Sequence, residues 1–202
     1  KTDLLQFVSA RTKRGFSAFL ARQPDGKIGF EFEAREATTT GAPGRPGLGV
    51  QYVDARDLAA LALDAGEQGR SGPVDVVCPT GLATLGDVLD LCLEVTASDA
   101  RLEWVDGAFV VEHDVAPWTE LPIWLPEDDE AYGLHQADVS RAVSWGLATR
   151  PLRETVADTW TWVQRVDAGL ETPAPAPRAG TGLPRAREDA VLAAWDARAQ
   201  TS

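Results

Sequence analysis

The chain has 202 residues, of which 44% are hydrophobic, and it carries a net charge of −12 at neutral pH. A surface this acidic repels nucleic-acid phosphates and anionic lipid headgroups, so we expect neither nucleic acid nor a membrane as a partner. No stretch reaches the run of about eighteen apolar residues that a membrane-spanning helix needs, and the first residues lack the apolar block of a secretory signal. These features predict a cytoplasmic protein.

Residues 1–45 differ in composition from the rest of the chain. They hold all three lysines and five of the six phenylalanines, whereas all seven tryptophans follow residue 103. Eight basic and five acidic residues give them a net charge of +3, so the remainder carries −15. Weak helical periodicity over residues 4–20 and alternation over residues 27–34 predict a helix and then a strand. Residues 38–49 hold four glycines and two prolines, a composition that predicts a connector.

From residue 49 onward, strand and helix patterns alternate. GVQYV, residues 49–53, predicts a buried strand, and PVDVVCP, residues 73–79, predicts a second one. Between them Asp54 predicts a cap for the helix ARDLAALALDAGEQG, in which Leu58, Leu61 and Ala62 share one face. An amphipathic helix, TLGDVLDLCLEVTAS, and a third short strand, RLEWVD, follow.

The stretch VDVVCPTGLATLGDVLD, residues 74–90, has the strand–turn–helix order of a dinucleotide cradle. Such a cradle needs glycines at GxGxxG or GxxGxxG spacing, but here Gly81 and Gly86 are five residues apart and a third glycine is missing. Thr84 and Asp87 instead have the spacing of a capping box. The stretch therefore predicts a capped helix rather than a phosphate site.

The second half of the chain predicts a short helix at residues 107–115 and then a proline-rich loop. Two more helices, a linker rich in Pro, Ala and Gly, and a terminal helix follow. Trp118 and Trp124 lie in the proline-rich loop, where amphipathic rings either line a pocket or simply pack. We expect the loop to form a lid or a pocket wall.

Candidate catalytic and metal-binding residues are few. His113 and His135 are the only histidines and do not have the spacing of a metal-ligand pair. Cys78 and Cys92 form no CxxC motif, which predicts reduced cysteines in the core. No GxSxG elbow or GxxxxGK[ST] loop occurs, so hydrolase and P-loop chemistry are not expected.

Two segments carry a family resemblance. QYVDARDLAALALD, residues 51–64, resembles a strand–helix segment in the later half of extended short-chain dehydrogenases/reductases, the NAD-dependent epimerase/dehydratase family. ADVSRAVSWGLATRPLRETVADTWTWV, residues 137–163, looks like that family's closing pattern. The likeness covers about residues 42–166. It implies an N-terminal Rossmann domain that binds NAD or NADP, followed by a smaller substrate-binding domain.

The sequence holds only the second of these parts. The Tyr-x-x-x-Lys catalytic pair of the family is absent, because Tyr52 is followed four residues later by Arg56 and Tyr132 by Gln136. The resemblance therefore implies no catalytic residue here, no tight coenzyme binding, and no activity of this chain alone. Nucleotide-sugar enzymes of the family have an arginine where this chain has Val50, so the implied substrate is small and apolar or weakly charged.

Substrate contacts are expected from four residues, Gln51, Tyr52, Trp118 and Trp124. Arg56 remains open as an anion-binding residue or as an ion-pair partner of its acidic neighbours. The implied partner is a missing Rossmann half.

The expected fold class is α/β, α+β-like in an isolated half: short strands alternate with helices as the remnant of a Rossmann-type sheet plus a substrate-binding subdomain. The predicted divisions are an N-terminal segment (1–45), a substrate-binding domain (46–166), a linker (167–184) and a terminal helix (185–202). The alternative function is a non-catalytic protein-interaction module on the same scaffold. In that hypothesis Val191, Leu192 and Trp195 dock on a partner protein, unless their helix folds back on its own core.

Overall fold

The computed structural model of the chain describes residues 2–3, 5–8, 15–22, 27–31, 38–174 and 181–199. This part is a mixed α/β fold with 43% helix and 15% strand, which confirms the predicted fold class. It divides into two compact units, residues 1–38 with 161–174, and residues 39–160 with 175–202. Within the described residues, none of the helices is long and apolar enough to cross a membrane.

The first unit contains a three-stranded antiparallel sheet in the order β1–β2–β3. Its strands are β1 (Leu5–Val8), β2 (Gly15–Arg22) and β3 (Ile28–Glu31). The helix predicted over residues 4–20 is therefore wrong, whereas the strand predicted over residues 27–34 is confirmed for its described part. β1 and β2 become strands by pairing with each other in the register Leu5↔Ala18, a contact between segments that helical periodicity does not report.

The second unit contains two short two-stranded sheets. β4 (Thr39–Pro43) runs parallel to β7 (Arg101–Val105), and β5 (Gly49–Val50) runs antiparallel to β6 (Ala83–Thr84). The connector predicted over residues 38–49 is thus partly a strand. Its glycine and proline do not prevent pairing, because β4 lies at a sheet edge and has one neighbour. Gly44, with φ +77°, ends this strand by turning the chain.

Six α-helices lie in the described part of the chain: α1 (Ala55–Glu67), α2 (Leu85–Thr96), α3 (Gly107–Glu112), α4 (Ser140–Ser144), α5 (Leu152–Asp167) and α6 (Arg185–Ala199). A 3₁₀ helix covers Glu130–His135. Asp54 caps α1 as predicted, and Thr84 and Asp87 form the predicted capping box of α2. These starts follow from local hydrogen bonds that the sequence specifies.

The strand predicted over residues 73–79 is wrong, and the one predicted over residues 49–53 is reduced to Gly49–Val50. Both segments lack a strand ladder, and their backbones share one hydrogen bond, from the Cys78 amide to the Tyr52 carbonyl at 2.7 Å. A strand needs a ladder of such bonds. Within the described chain these residues have no further strand to pair with.

The core of the second unit lies between β5, β7, α2, α3 and α6. Its buried members are Leu48, Val50, Ala83, Leu85, Val105, Phe109, Val110, Val115, Trp124 and Leu192. Leu192 belongs to α6, so the terminal helix folds back on the same core. Residues 175–180 of the predicted linker lie outside the described part of the chain.

Candidate functional site

Gln51 follows β5 and is buried, and its side-chain amide joins three segments. Its Nε2 donates to the Cys78 carbonyl at 2.9 Å and to the Ala137 carbonyl at 3.2 Å, while its Oε1 accepts from the Ala137 amide at 2.8 Å. These bonds hold residues 51, 78 and 137 together. Gln51 therefore shapes the predicted site as a support for the chain around it.

His135 lies beside Gln51 and connects it to the proline-rich loop. Its Nδ1 accepts from the Gln51 amide at 3.1 Å, so its Nε2 carries the proton and donates to the Ile123 carbonyl at 2.7 Å. The ring is buried, and the rings of Tyr132 and Trp118 lie near it. A lone histidine at position 135 carries no sequence signal of this role, because its one acceptor and one donor contact are with residues 84 and 12 positions away.

Trp118 is 51% exposed and lies 6.2 Å from the His135 ring, centroid to centroid. Its backbone has φ +61°, and Ile123 in the same loop has φ +66°. Left-handed backbone is costly for side chains of this size, and above all for a β-branched residue. The Trp118 amide donates to the Trp124 carbonyl at 3.1 Å, which closes the loop. The loop thus presents a large aromatic ring to solvent from a strained backbone.

Trp124 faces the other side of this loop and is 1% exposed. Its indole packs so closely against Gly44 and Gly107 that an added Cβ would lie 3.1 Å and 3.2 Å from ring atoms. Its Nε1 has no acceptor among the described residues. A cavity of about 310 Å³, crossed by the Arg45–Glu127 ion pair, opens beside it. Trp124 therefore packs in the core and also lines a cavity.

Tyr52 is half-buried and contacts the core. Its amide donates to the Cys78 sulfur at 3.4 Å. Burial raises the pKa of the Tyr52 phenol, with smaller contributions from Cys78 and Asp57. A tyrosine that moves protons near neutral pH needs the opposite shift. The phenol is therefore suited to packing or to donating a hydrogen bond.

The predicted site residues fall into two groups. Gln51 and Trp118 meet around His135, and Tyr52 follows Gln51 directly. Trp124 reaches the same loop only through its backbone carbonyl. Of the four residues Trp118 is exposed and Tyr52 is half-buried, so their side chains are the more accessible ones.

Arg56 is held in ion pairs. Its guanidinium contacts the carboxylates of Asp54 and Asp158, and Arg150 contacts Asp57 at 2.6 Å. Hydrogen bonds from Arg56 hold the pKa of Asp54 well below its ordinary value, and hydrogen bonds from Arg150 lower the pKa of Asp57. The arginine that the sequence left open as an anion binder is thus an ion-pair partner in this network, which joins α1 to the start of α5.

Burial raises the pKa of both cysteine thiols, Cys78 and Cys92, and neither forms a disulfide. The described residues contain no group of three or more His, Cys, Asp or Glu side chains arranged to hold a metal ion. A thiol whose pKa is raised by burial is a weak nucleophile.

Residues 51–54 and 73–78 form an open edge next to this surface, because no strand ladder pairs them. In the part of the chain that the structure describes, the amides of Val53, Val76 and Val77 have no backbone hydrogen bond. α1 connects the two segments and carries an exposed apolar stripe, which includes Leu58 at 42% and Leu63 at 69% exposure. Ala59 and Ala62 lie in the same stripe by helical spacing and are exposed as well. Unpaired backbone and exposed leucines together mark a face that a further element would cover.

No protein-family model, curated protein or solved structure matches this chain. The family resemblance of residues 42–166 accordingly stays a prediction.

Proposed function

We propose that this chain is the substrate-binding C-terminal part of an NAD(P)-dependent reductase or epimerase of the extended short-chain type. It works only together with a Rossmann domain, which supplies the coenzyme cradle and the Tyr-Lys pair. The observation that carries the proposal is the open edge formed by residues 51–54 and 73–78. NAD or NADP then binds to the Rossmann part, and this chain alone is inactive.

The order of these segments supports the proposal. A segment without helix or ladder, the helix α1 and a second such segment follow one another, in the order of a strand–helix–strand unit of a parallel sheet. The bond from the Cys78 amide to the Tyr52 carbonyl is the one backbone–backbone hydrogen bond that the described structure has between them. Two isolated strands are marginal in water, whereas a larger sheet would complete their hydrogen bonds. A Rossmann sheet is such a partner.

The apolar stripe of α1 is a second, independent support. In an α/β sheet the crossover helix buries its apolar face against the strands. Here Leu63 faces solvent on the side of the helix away from the buried Leu61, and Leu58, one turn before Leu61, is partly exposed at the border of the buried face. The exposed stripe is the surface that an added sheet would cover.

The charges near the site bear on the substrate class. Arg56 and Arg150 are engaged with carboxylates, and Val50 offers no charge where nucleotide-sugar enzymes hold a diphosphate. The accessible groups are the rings of Tyr52 and Trp118. We therefore assign a small, apolar or weakly charged organic substrate to this surface.

Hydrogen exchange of the backbone amides tests the open edge directly. We expect the amides of Val53, Val76 and Val77 in the full chain to exchange quickly, because they have no acceptor and lie at an edge. Amides in the middle of α2, such as that of Leu89, serve as the protected control. Slow exchange at the three valines, equal to that of Leu89, contradicts the proposal, since the segments would then already be paired.

Calorimetric titration of the chain with NAD⁺ and NADP⁺ tests the missing cradle. We expect no binding in the micromolar range by either coenzyme, and tight binding of one of them overturns the proposal.

Sequencing the coding DNA on the 5′ side of the Lys1 codon is the complementary test. An in-frame Gly-rich turn and a Tyr-x-x-x-Lys pair are expected there, and their absence favours the interaction module.

The alternative, a non-catalytic interaction module, was based on docking of the terminal helix on a partner protein, and the structure does not support that docking. Leu192 is part of the core, and Val191 and Trp195 pack against it, so this face of α6 is occupied by its own chain. The Phe109 and Trp195 rings meet edge to face at 5.0 Å between centroids. A docking surface for this alternative would have to be the α1 stripe instead.

A further inference from the structure

A second cavity, of about 290 Å³, lies between β4, the loop of residues 115–122 and α6. β4 lies along one side of it, and Val110 and Val115 belong to another wall. Leu183, Val191 and Leu192 close it from the side of the terminal helix. None of Gln51, Tyr52, Trp118 and Trp124 lines this cavity, so it is separate from the surface described above.

The terminal helix is fastened over this cavity by specific polar contacts. The Glu188 carboxylate accepts from the Gly41 amide at 2.8 Å, and Arg187 pairs with Glu120 across the opposite wall. The Gly182 amide donates to the Thr119 carbonyl at 2.9 Å before the helix begins. The first contact joins α6 to β4, and the other two join α6 and the residue run before it to the loop of residues 115–122. The apolar space lies between these elements. The cavity is therefore a built feature of the fold.

The chemistry of the lining restricts what the cavity can hold. Its walls are mainly aliphatic side chains, and its volume is at the small end of ligand cavities, which begin at about 300 Å³. The charged groups in the lining are the carboxylates of Glu120 and Glu188, while their arginine partners are not part of it. The lining thus offers carboxylates that are already ion-paired and no cationic side chain, so an anionic ligand finds no partner there and any ion would lose its hydration against aliphatic walls.

We infer that this cavity binds a small, uncharged and mostly apolar molecule of the size of a two-ring aromatic alcohol. The ligand replaces empty space next to Val110, Val191 and Leu192, and its burial stabilises the docked position of α6. This binding requires neither a coenzyme nor a Rossmann partner. Its success or failure is therefore measured independently of the proposed substrate site.

Calorimetric titration of the full chain with 1-naphthol and with 1-naphthoate tests this inference. The two probes share one ring system and differ in charge at neutral pH. We expect 1-naphthol to bind at least about tenfold more tightly than 1-naphthoate, because the carboxylate finds no cationic partner in the lining and would lose its hydration. Absence of 1-naphthol binding, or equal binding of both probes, overturns the inference.

Val191→Phe locates the binding, because the larger ring occupies the cavity from α6. We expect 1-naphthol affinity to fall at least about tenfold in this variant. Val143→Phe is the matched control, since Val143 is exposed on α4 and is not part of the lining, and it should bind as the wild type does. Leu183→Phe fills the same space from outside the helix. It serves as the test variant instead if circular dichroism shows that the Val191→Phe protein is unfolded. Unchanged affinity in a folded cavity-filling variant overturns the assignment.

Discussion

At the scale of single residues, Trp124 combines complete burial with an indole N–H that has no acceptor in the described structure. Its ring fills the space beside two glycines, and this packing stabilises the fold. The unsatisfied donor opposes it, because a buried polar group without a partner retains its desolvation cost. The sequence placed Trp124 in a pocket wall or in the core, and the structure places it in both.

We expect Trp124→Phe to lower the free energy of unfolding by no more than about 2 kcal/mol, since it removes the unsatisfied N–H together with part of the ring. Trp124→Ala should cost about 3–5 kcal/mol, because it leaves a large void. Urea denaturation of both variants measures the difference. Equal losses in the two variants would mean that the indole N–H makes a hydrogen bond after all.

A pair of glycines allows a matched test of close packing. An added Cβ at Gly86 in α2 would lie 2.9 Å from the Pro46 carbonyl oxygen, whereas one at Gly66 in α1 meets nothing within 4 Å. We expect Gly86→Ala to lower the free energy of unfolding by about 1–3 kcal/mol through this clash. Gly66→Ala should raise it by about 0.5 kcal/mol through helix propensity. Thermal and urea denaturation measure the change in the free energy of unfolding for both variants. Stabilisation by Gly86→Ala would show that the backbone at Pro46 moves away at little cost.

At the scale of elements, the ion-pair network joins α1 to α5. Asp54 caps α1 and accepts from Arg56 and Thr155, while Asp57 accepts from the Arg150 amide and guanidinium. The sequence predicted Asp54 as a cap from local spacing. The partners Arg150 and Thr155 are about a hundred positions away, and no local sequence pattern predicts these contacts.

The network predicts a dependence of stability on pH. Hydrogen bonds from Arg56 and Arg150 lower the pKa of Asp54 and of Asp57 from the ordinary value of 3.8. Below that value the unfolded chain binds protons that the folded chain still excludes. The stabilisation is therefore complete above pH 3.8 and is lost as the pH falls through the lower folded values.

We expect Asp57→Asn to reduce this loss between about pH 5 and pH 2, since the amide has no proton to take up while it can still accept from Arg150. Asp90→Asn, at an exposed position of α2, changes the net charge equally and is the control. Urea denaturation at a series of pH values gives the slopes. The same slope in both variants would contradict the assigned role of Asp57.

At the scale of the whole molecule, the terminal helix belongs to the core of the second unit. Leu192 is buried among residues from β5, β7 and α3. Val110 is the nearest of these in sequence, yet it lies about 80 positions before Leu192, with α4 and α5 between them. α6 thereby forms one wall of the 290 Å³ cavity. Removing contacts of this helix should therefore affect the stability of the unit, not only its tail.

We expect Leu192→Ala to lower the free energy of unfolding by about 2–5 kcal/mol, as is usual for a buried leucine. Leu63→Ala, in the exposed stripe of α1, should change it by less than about 0.5 kcal/mol in the isolated chain. Urea denaturation of the two variants provides the comparison. A negligible effect of Leu192→Ala would mean that α6 is detached in solution.

The sequence by itself determined the features that depend on neighbouring residues. The caps at Asp54 and Thr84, the helices after them and the α/β class all follow from spacings of a few positions. Capping hydrogen bonds and helical periodicity depend only on residues a few positions apart, so the sequence is sufficient to predict them.

Only the tertiary structure decided which distant segments meet. It made β1, β2 and β4 strands by pairing, left residues 73–78 without a ladder, paired Arg56 with carboxylates, and brought His135 to Gln51. It also folded α6 over β4 and so created the second cavity. Each of these outcomes depends on a partner far along the chain, because strand pairing, ion pairing and core packing are satisfied in space and not in sequence order.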